Sequence, residues 1–209
     1  MRLLRLEADR EFRIDLRNEL SPWPCPTGIR IAVASLADVE ALAALRRRDA
    51  GEALLATYRD RYARGQKCFV AVADAGVVAG NWLCFGTEYD GALRFELRPD
   101  EVLCTDAFTT PALRGRSIHT ALLRAMLLWA QAAGYRLAYT YVGMRNRASA
   151  KTHARLHWQT RRMPRYLVLS SPWLCREFGL CQEVVIPLAW SRHPLASGFL
   201  CTPPVSQGG

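Results

Sequence analysis

Apolar and polar residues alternate along several short stretches of the chain, and such alternation is typical of half-buried β-strands. Residues 28–34 alternate in this way. Residues 67–73 and 77–85 flank the turn Asp74-Ala75-Gly76, which predicts a β-hairpin. The other predicted strands are residues 101–108, 136–142, 162–170 and 183–190.

Four other stretches carry apolar residues at helical spacing. Ser35 or Asp38 can cap a first helix that runs to about residue 48, and a second helix is expected over residues 52–63. A third helix is expected over residues 117–133 and a short fourth over residues 146–158.

The order of these elements is strand, two helices, three strands, helix, strand, helix and two strands, which predicts a mixed α/β sheet in one domain. Residues 1–26 are ambiguous between strand and helix and end in a proline-rich break, so we interpret them as an N-terminal extension. The domain is expected over residues 27–190. Residues 191–209, rich in proline, serine and glycine, are interpreted as a loosely held tail.

Composition and charge narrow the class of partner. Of the 209 residues 50% are apolar, which suits one well-filled domain. The net charge is +9, and all but two of the 28 basic residues are arginines. Arginine makes forked contacts to phosphate and carboxylate, so the excess fits a nucleic acid, an acidic carrier protein or a phosphorylated cofactor. An arginine-favouring genome is the alternative explanation.

Several classes of protein are not expected. No apolar run approaches the ~18 residues that span a bilayer, and the N-terminus has no signal-peptide core, so we expect a cytoplasmic protein. The seven cysteines form no C-x-x-C pair and are expected as buried, reduced thiols. His153 and His157 have the spacing of a metal pair, but no third ligand accompanies them, and no metal is expected.

The most informative stretch is a basic turn between a predicted strand and a predicted helix. Arg114-Gly115-Arg116-Ser117 opens the third helix. The unpaired N–H groups and the positive dipole end of a helix start favour an anion. The turn therefore predicts a phosphate or pyrophosphate site.

This turn and the element order around it resemble the GNAT superfamily of acyl-CoA-dependent N-acyltransferases, over about residues 28–190. The family's pyrophosphate loop reads Arg/Gln-x-x-Gly-x-Gly/Ala after a strand. Four residues fit its common form Arg-Gly-Arg-Gly-Ile-Gly: Arg114, Gly115, Arg116 and Ile118. Ser117 and His119 stand where glycines are usual, so the loop is degenerate.

A second motif lies on the predicted fourth helix, which in the family commonly reads Asn-x-x-Ala/Ser-x-x-x-Tyr-x-x-x-Gly-Phe. Asn146 and Ser149 fit this pattern, and Trp158 is an aromatic substitute for phenylalanine. His153 and His157 take the places of the tyrosine and the glycine.

The resemblance implies both a fold and a reaction. The fold is a mixed, mostly antiparallel, twisted sheet of about seven strands, flanked by about four helices and splayed between the fourth and fifth strands. The reaction moves an acetyl or other acyl group from acyl-CoA to an amine of a small-molecule acceptor, by direct attack of the amine on the thioester.

The resemblance also implies which residues hold acetyl-CoA or another acyl-CoA. By register, the backbone of the fourth strand would pair with the pantetheine arm, while the loop and the fourth helix would hold the rest. A glycine in the loop lets the backbone approach the pyrophosphate, and Ser117 could add a hydroxyl that caps the helix or contacts phosphate. The expected cofactor-binding residues are Ala107, Phe108, Thr109, Arg114, Gly115, Arg116, Ser117, Ile118, His119, Asn146 and Ser149.

An alkylammonium acceptor, with a pKa near ~10.4, must lose a proton before it attacks. Glu101 lies thirteen residues before Arg114, a spacing that some members of the family use for a glutamate base. It could instead be an ordinary solvated carboxylate at a strand end. Asp106 is nearer the splay but has the opposite strand parity, so it would face the other side unless a bulge intervenes.

The departing thiolate benefits from an acid. His153 takes the place of the family's usual tyrosine and could protonate the sulfur, serve as the base, or only pack. Tyr139 and Tyr141 on the neighbouring strand are fallback acids.

The acceptor and the donor leave alternatives open. Glu88, Asp90 and Glu96 could hold a cationic amine or form a solvated face, and the apolar loop of residues 172–180 could roof the acceptor or pack over the sheet. An acyl carrier protein could be the donor. A non-catalytic module that senses acyl-CoA or binds nucleic acid is the third hypothesis, although nucleic acid is not expected because aromatic-basic motifs are missing. The sequence does not determine the oligomeric state, and a homodimer is one of the alternatives.

Overall fold

The structure, a computed structural model, describes residues 4–90, 93–170 and 183–187. Its strands are β1 (Leu4–Asp15), β2 (Arg30–Val33), β3 (Lys67–Ala73), β4 (Gly76–Cys84), β5 (Thr87–Asp90), β6 (Leu93–Glu96), β7 (Glu101–Thr109), β8 (Leu137–Gly143), β9 (Gln159–Ser170) and β10 (Glu183–Pro187). Its helices are α1 (Leu36–Ala63), α2 (Ile118–Ala132) and α3 (Arg147–Arg155), with a 3-10 turn at Pro111–Leu113.

Eight strands form one sheet in the order β10-β9-β1-β8-β7-β4-β3-β2, and β5 and β6 form a separate hairpin. All neighbouring strands are antiparallel except β7 and β8. This parallel pair is short, since Glu101 to Leu103 pair with Leu137 to Tyr139 and the pairing ends there. The expected mixed, mostly antiparallel fold with a splay between these two strands is confirmed.

The N-terminal segment is part of the sheet. β1 lies between β8 and β9 and pairs antiparallel with both. Phe12 and Ile14 are buried in the core, which resolves the ambiguity of this segment in favour of a strand. The interpretation of residues 1–26 as an extension therefore needs correction for Leu4–Asp15, and this strand is why the sheet has eight strands instead of about seven.

The first helical region is one continuous helix instead of two. Ser35 and Asp38 form a capping box at the start of α1, which then runs for 28 residues to Ala63. A break was expected between residues 48 and 52, but the one glycine there, Gly51, costs a helix only about 1 kcal/mol relative to alanine. The buried face of α1 includes Val39 and Leu42, whereas Leu45 is exposed.

The core fills both faces of the sheet. On one face the sheet packs against α2, and this part of the core includes Phe12 of the sheet with Leu122 and Met126 of the helix. On the other face it packs against α1, where Trp82 of the sheet and Leu42 of the helix are buried. Gly80 lets α1 approach β4, because a Cβ atom there would lie 2.3 Å from Leu42 Cδ2.

Two smaller predictions have clear outcomes. Cys68, Cys84 and Cys104 are buried free thiols, as expected, and burial raises the pKa of each, whereas Cys25, also expected to be buried, is a free thiol on the surface. Residues 86–91 were expected to be a loop, but Thr87–Asp90 pairs with Leu93–Glu96 as a hairpin. The loop of residues 172–180 and the tail of residues 191–209 lie outside the described residues.

None of the helices in the described ranges is both long enough and apolar enough to cross a membrane.

Candidate functional site

A cleft of about 640 Å³ opens between the end of β7, the start of α2 and the exposed side of α3. Ten of the eleven residues that the sequence suggests for cofactor binding line it. The lining residues are Ala107, Phe108, Thr109, Leu113, Arg114, Gly115, Ser117, Ile118, His119, Thr120, Asn146, Ala148, Ser149, Lys151, Thr152 and Arg155. Three elements that are distant in the chain thus converge on one cavity.

The end of β7 carries a β-bulge. Gly80 of β4 pairs with Phe108 and Trp82 with Thr105, so one residue of β4 faces two residues of β7. Asp106 sits in this bulge with a left-handed φ of 58°. Because the bulge shifts the alternation, Asp106 reaches α1, on the side of the sheet that Glu101 also faces. By strand parity alone Asp106 would face the opposite side from Glu101. The bulge brings the two carboxylates to the same face of the sheet.

The basic turn has the backbone of an anion site. Gly115 has a φ of 80° and Ser117 a φ of 59°, both in the left-handed region. No side chain of the described residues caps the N-terminus of α2, so the Ser117 hydroxyl does not make the cap that it could have made. The first N–H groups of α2 therefore remain available beside the cleft.

Arg114 ties the turn to the strand. Its Nε donates a hydrogen bond of 3.1 Å to the carbonyl oxygen of Thr109. Both arginines are exposed, but Arg116 is not part of the described lining of the cleft. The sequence pattern does not distinguish the two arginines, whereas in the structure only Arg114 lines the cleft.

The N-terminus of α3 forms the facing wall. Asn146 caps this helix by accepting a hydrogen bond of 3.1 Å at Oδ1 from Ser149 N. Lys151 and Arg155, which sequence reasoning missed, lie further along the same wall. Their spacing of four residues places both side chains on one face of the helix, and this pattern could have identified them from the sequence. Together with Arg114, they give the cleft a positive charge that suits phosphate groups.

His153 lies in the core instead of the cleft. It is 3% exposed, its ring stacks on Phe12 at 5.0 Å, and Trp158 meets it edge-on at 5.1 Å. Its Nδ1 is 2.8 Å from the carbonyl oxygen of Ser149. Burial lowers the pKa of His153, so the imidazole is neutral at pH 7. This environment favours the packing role over the two catalytic ones.

His119 packs next to His153, with ring centroids 6.3 Å apart. Its Nε2 is buried without a hydrogen-bond partner among the described residues. Burial, together with the neighbouring His153, lowers the pKa of His119 to about 4. The ring packs beside His153 at the edge of the cleft, and in this way a histidine is accommodated where the family commonly has a glycine.

Asp106 belongs to a network of ion pairs with α1. Its Oδ2 accepts a hydrogen bond of 3.0 Å from Arg61 Nη1, and its Oδ1 accepts one from Arg46. Arg61 is 3% exposed and also donates at 3.0 Å from Nε to Glu88, which Arg64 contacts at 3.2 Å. Both Asp106 oxygens are thus held by guanidinium groups. Glu88 is paired with two arginines and does not lie on a solvated face.

Sequence reasoning missed this network. Arg46 and Arg61 lie on the two halves of α1 that were expected to be separate helices, so no pattern placed them over the same strand. Of the other two acidic residues suggested for the acceptor, Glu96 is exposed, and the side chain of Asp90 lies outside what the structure describes.

Glu101 has neutral partners. Its Oε1 accepts a hydrogen bond of 3.1 Å from Tyr139 Oη, and its Oε2 accepts one of 3.0 Å from the backbone N–H of Arg98. The residue is 8% exposed and lies two positions before Leu103, where the pairing with β8 ends. Burial and the nearby Glu101 raise the pKa of Tyr139, so its phenol stays protonated.

The described residues contain no group of three or more His, Cys, Asp or Glu side chains that could hold a metal ion.

Comparisons with solved structures identify the same fold. A GCN5-related N-acetyltransferase from Sphaerobacter thermophilus is 18% identical, with a TM-score of 0.54 over 78% of this chain and 51% of that one. A tandem GNAT protein from the clavulanic acid biosynthesis pathway is also 18% identical, with a TM-score of 0.57 over 80% and 55%. The chain thus spans about half the length of these two proteins.

A third structure matches a larger part of its own chain. AAC(6')-Iy, solved in complex with the bisubstrate analog CoA-S-monomethyl-acetylneamine, is 20% identical, with a TM-score of 0.53 over 63% of this chain and 90% of that one. No curated protein matches the chain.

The family model described as the acetyltransferase (GNAT) family matches residues 36–158, which is more than half of the chain. This range contains α1, the bulged strand β7, the basic turn and α3. The splayed pair of strands and the turn at the start of α2 are thus features of a known fold, and the chain belongs to the GNAT acetyltransferase family.

Proposed function

We propose that this protein is an N-acyltransferase that moves an acetyl or other acyl group from acyl-CoA to an amine of a small-molecule acceptor. The observation that carries the proposal is the convergence of the β7 edge, the basic turn and the wall of α3 on one cleft of about 640 Å³. Each of the three supplies a different kind of group: backbone of a strand, backbone N–H groups of a helix start, and basic side chains.

The donor would occupy this cleft. Gly115 and the unpaired N–H groups at the start of α2 suit a pyrophosphate, because backbone donors and the helix dipole act on the same spot. The backbone of Ala107 to Thr109 lies past the last residue of β7 that pairs with β8, so its polar groups on that side can pair with the amides of a pantetheine arm.

Glu101 is the base that the geometry favours. Asp106 has both oxygens in ion pairs with arginines, whereas Glu101 accepts hydrogen bonds from a phenol and a backbone N–H. A carboxylate with neutral partners can take a proton without breaking an ion pair. We propose that Glu101 removes the proton from the acceptor amine through a water molecule.

Tyr141 is the acid that the geometry favours. It lies two residues past Tyr139, the last residue of β8 that pairs with β7, and on the same face of the sheet. Burial and the nearby Glu11 raise the pKa of Tyr141, so it stays protonated at neutral pH, and a hydrogen bond from its phenol can stabilise a departing thiolate. His153, which packs in the core, is left with a structural role.

An amine acceptor would approach from the α1 side of the opened strands. Two buried carboxylates, Glu11 and Glu101, lie on this side close to Tyr139 and Tyr141, and both raise the pKa values of these phenols. Their negative charge favours an alkylammonium over an anionic acceptor.

The experiment that tests the proposal follows the release of free CoA from acetyl-CoA in the presence of a broad panel of amines. Turnover with at least one amine, together with the acylated product in a mass spectrum, supports the proposal. A long-chain acyl-CoA and an acyl carrier protein serve as alternative donors in the same assay. Activity confined to the carrier-borne donor contradicts acyl-CoA as the donor.

The same assay separates an enzyme from a non-catalytic module. Binding of acyl-CoA without release of CoA across the whole panel would contradict catalysis and favour a sensing role.

A further inference from the structure

A second cavity, of about 460 Å³, lies between the segment that follows β1 and the facing residues of α2 and α3. Residues 18–24 form one wall, and Arg124 of α2 and Arg155 at the end of α3 contribute basic side chains. Its volume is in the range of small-molecule sites. Neither the basic turn nor the end of β7 lines it, and Arg155 is the one lining residue that it shares with the cleft, so the two cavities are neighbours with different walls.

Arg124 is the residue that makes this cavity unusual. It is 7% exposed, and its Nε is buried without a hydrogen-bond partner. Neither a hydrogen bond nor an ion pair joins Arg124 to another residue in the described part of the chain. Burial lowers the pKa of its guanidinium, yet an arginine stays charged in proteins. Since buried charges are normally paired, the guanidinium needs an anion.

The chain's own carboxylates in the cavity do not supply that anion. Asp15 is held by Arg17, which donates to it from Nε at 2.9 Å and from its backbone N–H at 3.0 Å. Glu19 lines the cavity, is exposed and forms no ion pair with Arg124 within the described residues.

The wall opposite Arg124 is fixed in place and partly apolar. Gln131 of α2 donates from Nε2 to the carbonyl oxygen of Asn18 at 2.8 Å, which anchors the segment after β1. Leu20, Trp23 and Leu156 line the same cavity. A ligand here would therefore meet both a cation and an apolar surface.

We propose that this cavity binds a small organic anion, whose phosphate or carboxylate group pairs with Arg124 and whose apolar body packs against Trp23. Arg155 and His157 add two further donors to the cavity. The site borders the donor cleft at Arg155, but its pairing cation is Arg124, which does not line the cleft, and the site does not depend on the proposed transferase activity.

Phenyl phosphate and benzoate are suitable probes, with phenol as the uncharged control. Binding to the full-length protein is measured by calorimetry, and stabilisation is measured by thermal unfolding. We expect one or both anions to bind and phenol to have no effect. The comparison of the two anions shows which acidic group the site takes. No binding of either anion overturns the proposal.

The variant Arg124→Met tests the assigned cation. It removes a buried, unpaired charge, so it should fold at least as well as the wild type while binding the anion at least about tenfold more weakly. Arg136→Met, which removes an exposed arginine of the same domain, is the matched control and should bind as the wild type does. Equal affinity in Arg124→Met and Arg136→Met contradicts the assignment.

Two further measurements establish the position of the ligand. Trp23→Ala should weaken phenyl phosphate about tenfold and leave inorganic phosphate unchanged, because only the former has a ring to pack. Saturating acetyl-CoA should leave phenyl phosphate bound. Displacement by acetyl-CoA would contradict a separate site, and absence of acetyl-CoA binding would count against the transferase proposal alone.

Discussion

Arg61 Nη1 donates a hydrogen bond of 3.0 Å to Oδ2 of Asp106, and this contact fixes the bulge of β7 to the second half of α1. Arg61 is buried and lies over the ring of Trp82 at 5.8 Å. The strand segment that follows the bulge, Ala107 to Thr109, lines the cleft. The ion pair therefore holds the part of the chain on which the proposed donor site depends.

Replacement of Arg61 should destabilise the protein strongly. Arg61→Met removes the buried cation that pairs with both Glu88 and Asp106 and leaves each carboxylate with one partly exposed arginine, so the loss of unfolding free energy should approach the ~3–5 kcal/mol typical of a broken buried pair. Denaturant unfolding measures it. Arg59→Met is the matched control, because its pair with Glu40 is exposed and should be worth less than about 1 kcal/mol. Similar losses in both variants would contradict a structural role for the buried network.

A glycine at position 117 should stabilise the folded protein by relieving backbone strain in the loop before α2. Ser117 has a left-handed φ of 59°, which costs a residue with a side chain about 1–2 kcal/mol. Ser117→Gly should therefore raise the unfolding free energy by up to about 1 kcal/mol. Ala125→Gly, in the middle of α2, should lower it by about 1 kcal/mol. Thermal unfolding of both variants checks the opposite signs, and a loss of stability in Ser117→Gly would count against the strained loop.

Stability should fall as the pH is lowered from about 6.5 to about 4. The pKa of His119 is about 4 in the folded protein, against about 6.5 for an unperturbed histidine, so the unfolded state binds more protons in this window. The lowered pKa of His153 acts in the same direction. Each such group contributes a slope of up to about 1.4 kcal/mol per pH unit.

The variant His119→Asn isolates this contribution. Its unfolding free energy, measured by denaturant titration at a series of pH values, should decline less steeply than that of the wild type across the window. Parallel curves for the two proteins would show that His119 is not the buried, neutral group described above.

Glu101 should matter for turnover more than for folding. Glu101→Gln keeps the shape of the side chain and its two neutral partners, but it removes the proposed base, so kcat/KM should fall by about 10²-fold or more. Tyr139→Phe should cause a smaller loss, because it removes only the hydrogen bond to Glu101. Glu40→Gln, at a partly exposed position of α1, should keep wild-type activity, and an unchanged kcat/KM in Glu101→Gln would reject Glu101 as the base.

The parts of the fold that local pattern determines could be predicted from the sequence. The turn at Arg114 to Ser117, the start of α2 and the cap of α3 at Asn146 depend on neighbouring residues, and these elements do converge on one cleft. The family resemblance, based on the same segments, was confirmed by the match over residues 36–158.

The remaining features depend on contacts between distant segments. The bulge at Asp106 arises from pairing with β4, and the ion pairs of Arg46 and Arg61 require α1 to be continuous. The strand character of β1 depends on pairing with β8 and β9, because the same apolar residues also suit a helix face. Whether His153 is catalytic was equally open, since only tertiary packing against Phe12 and Trp158 shows that it is buried.

The central claim is that the cleft between β7, α2 and α3 binds acyl-CoA, and calorimetric titration with acetyl-CoA tests it most directly. Gly115→Val places a side chain at a backbone with a φ of 80° beside the cleft, while Gly86→Val causes comparable backbone strain at a φ of 69° outside its lining. We predict saturable binding by the wild type and Gly86→Val, with at least about tenfold weaker binding by Gly115→Val. Absence of binding by the wild type, or equal affinity in both variants, would contradict the account.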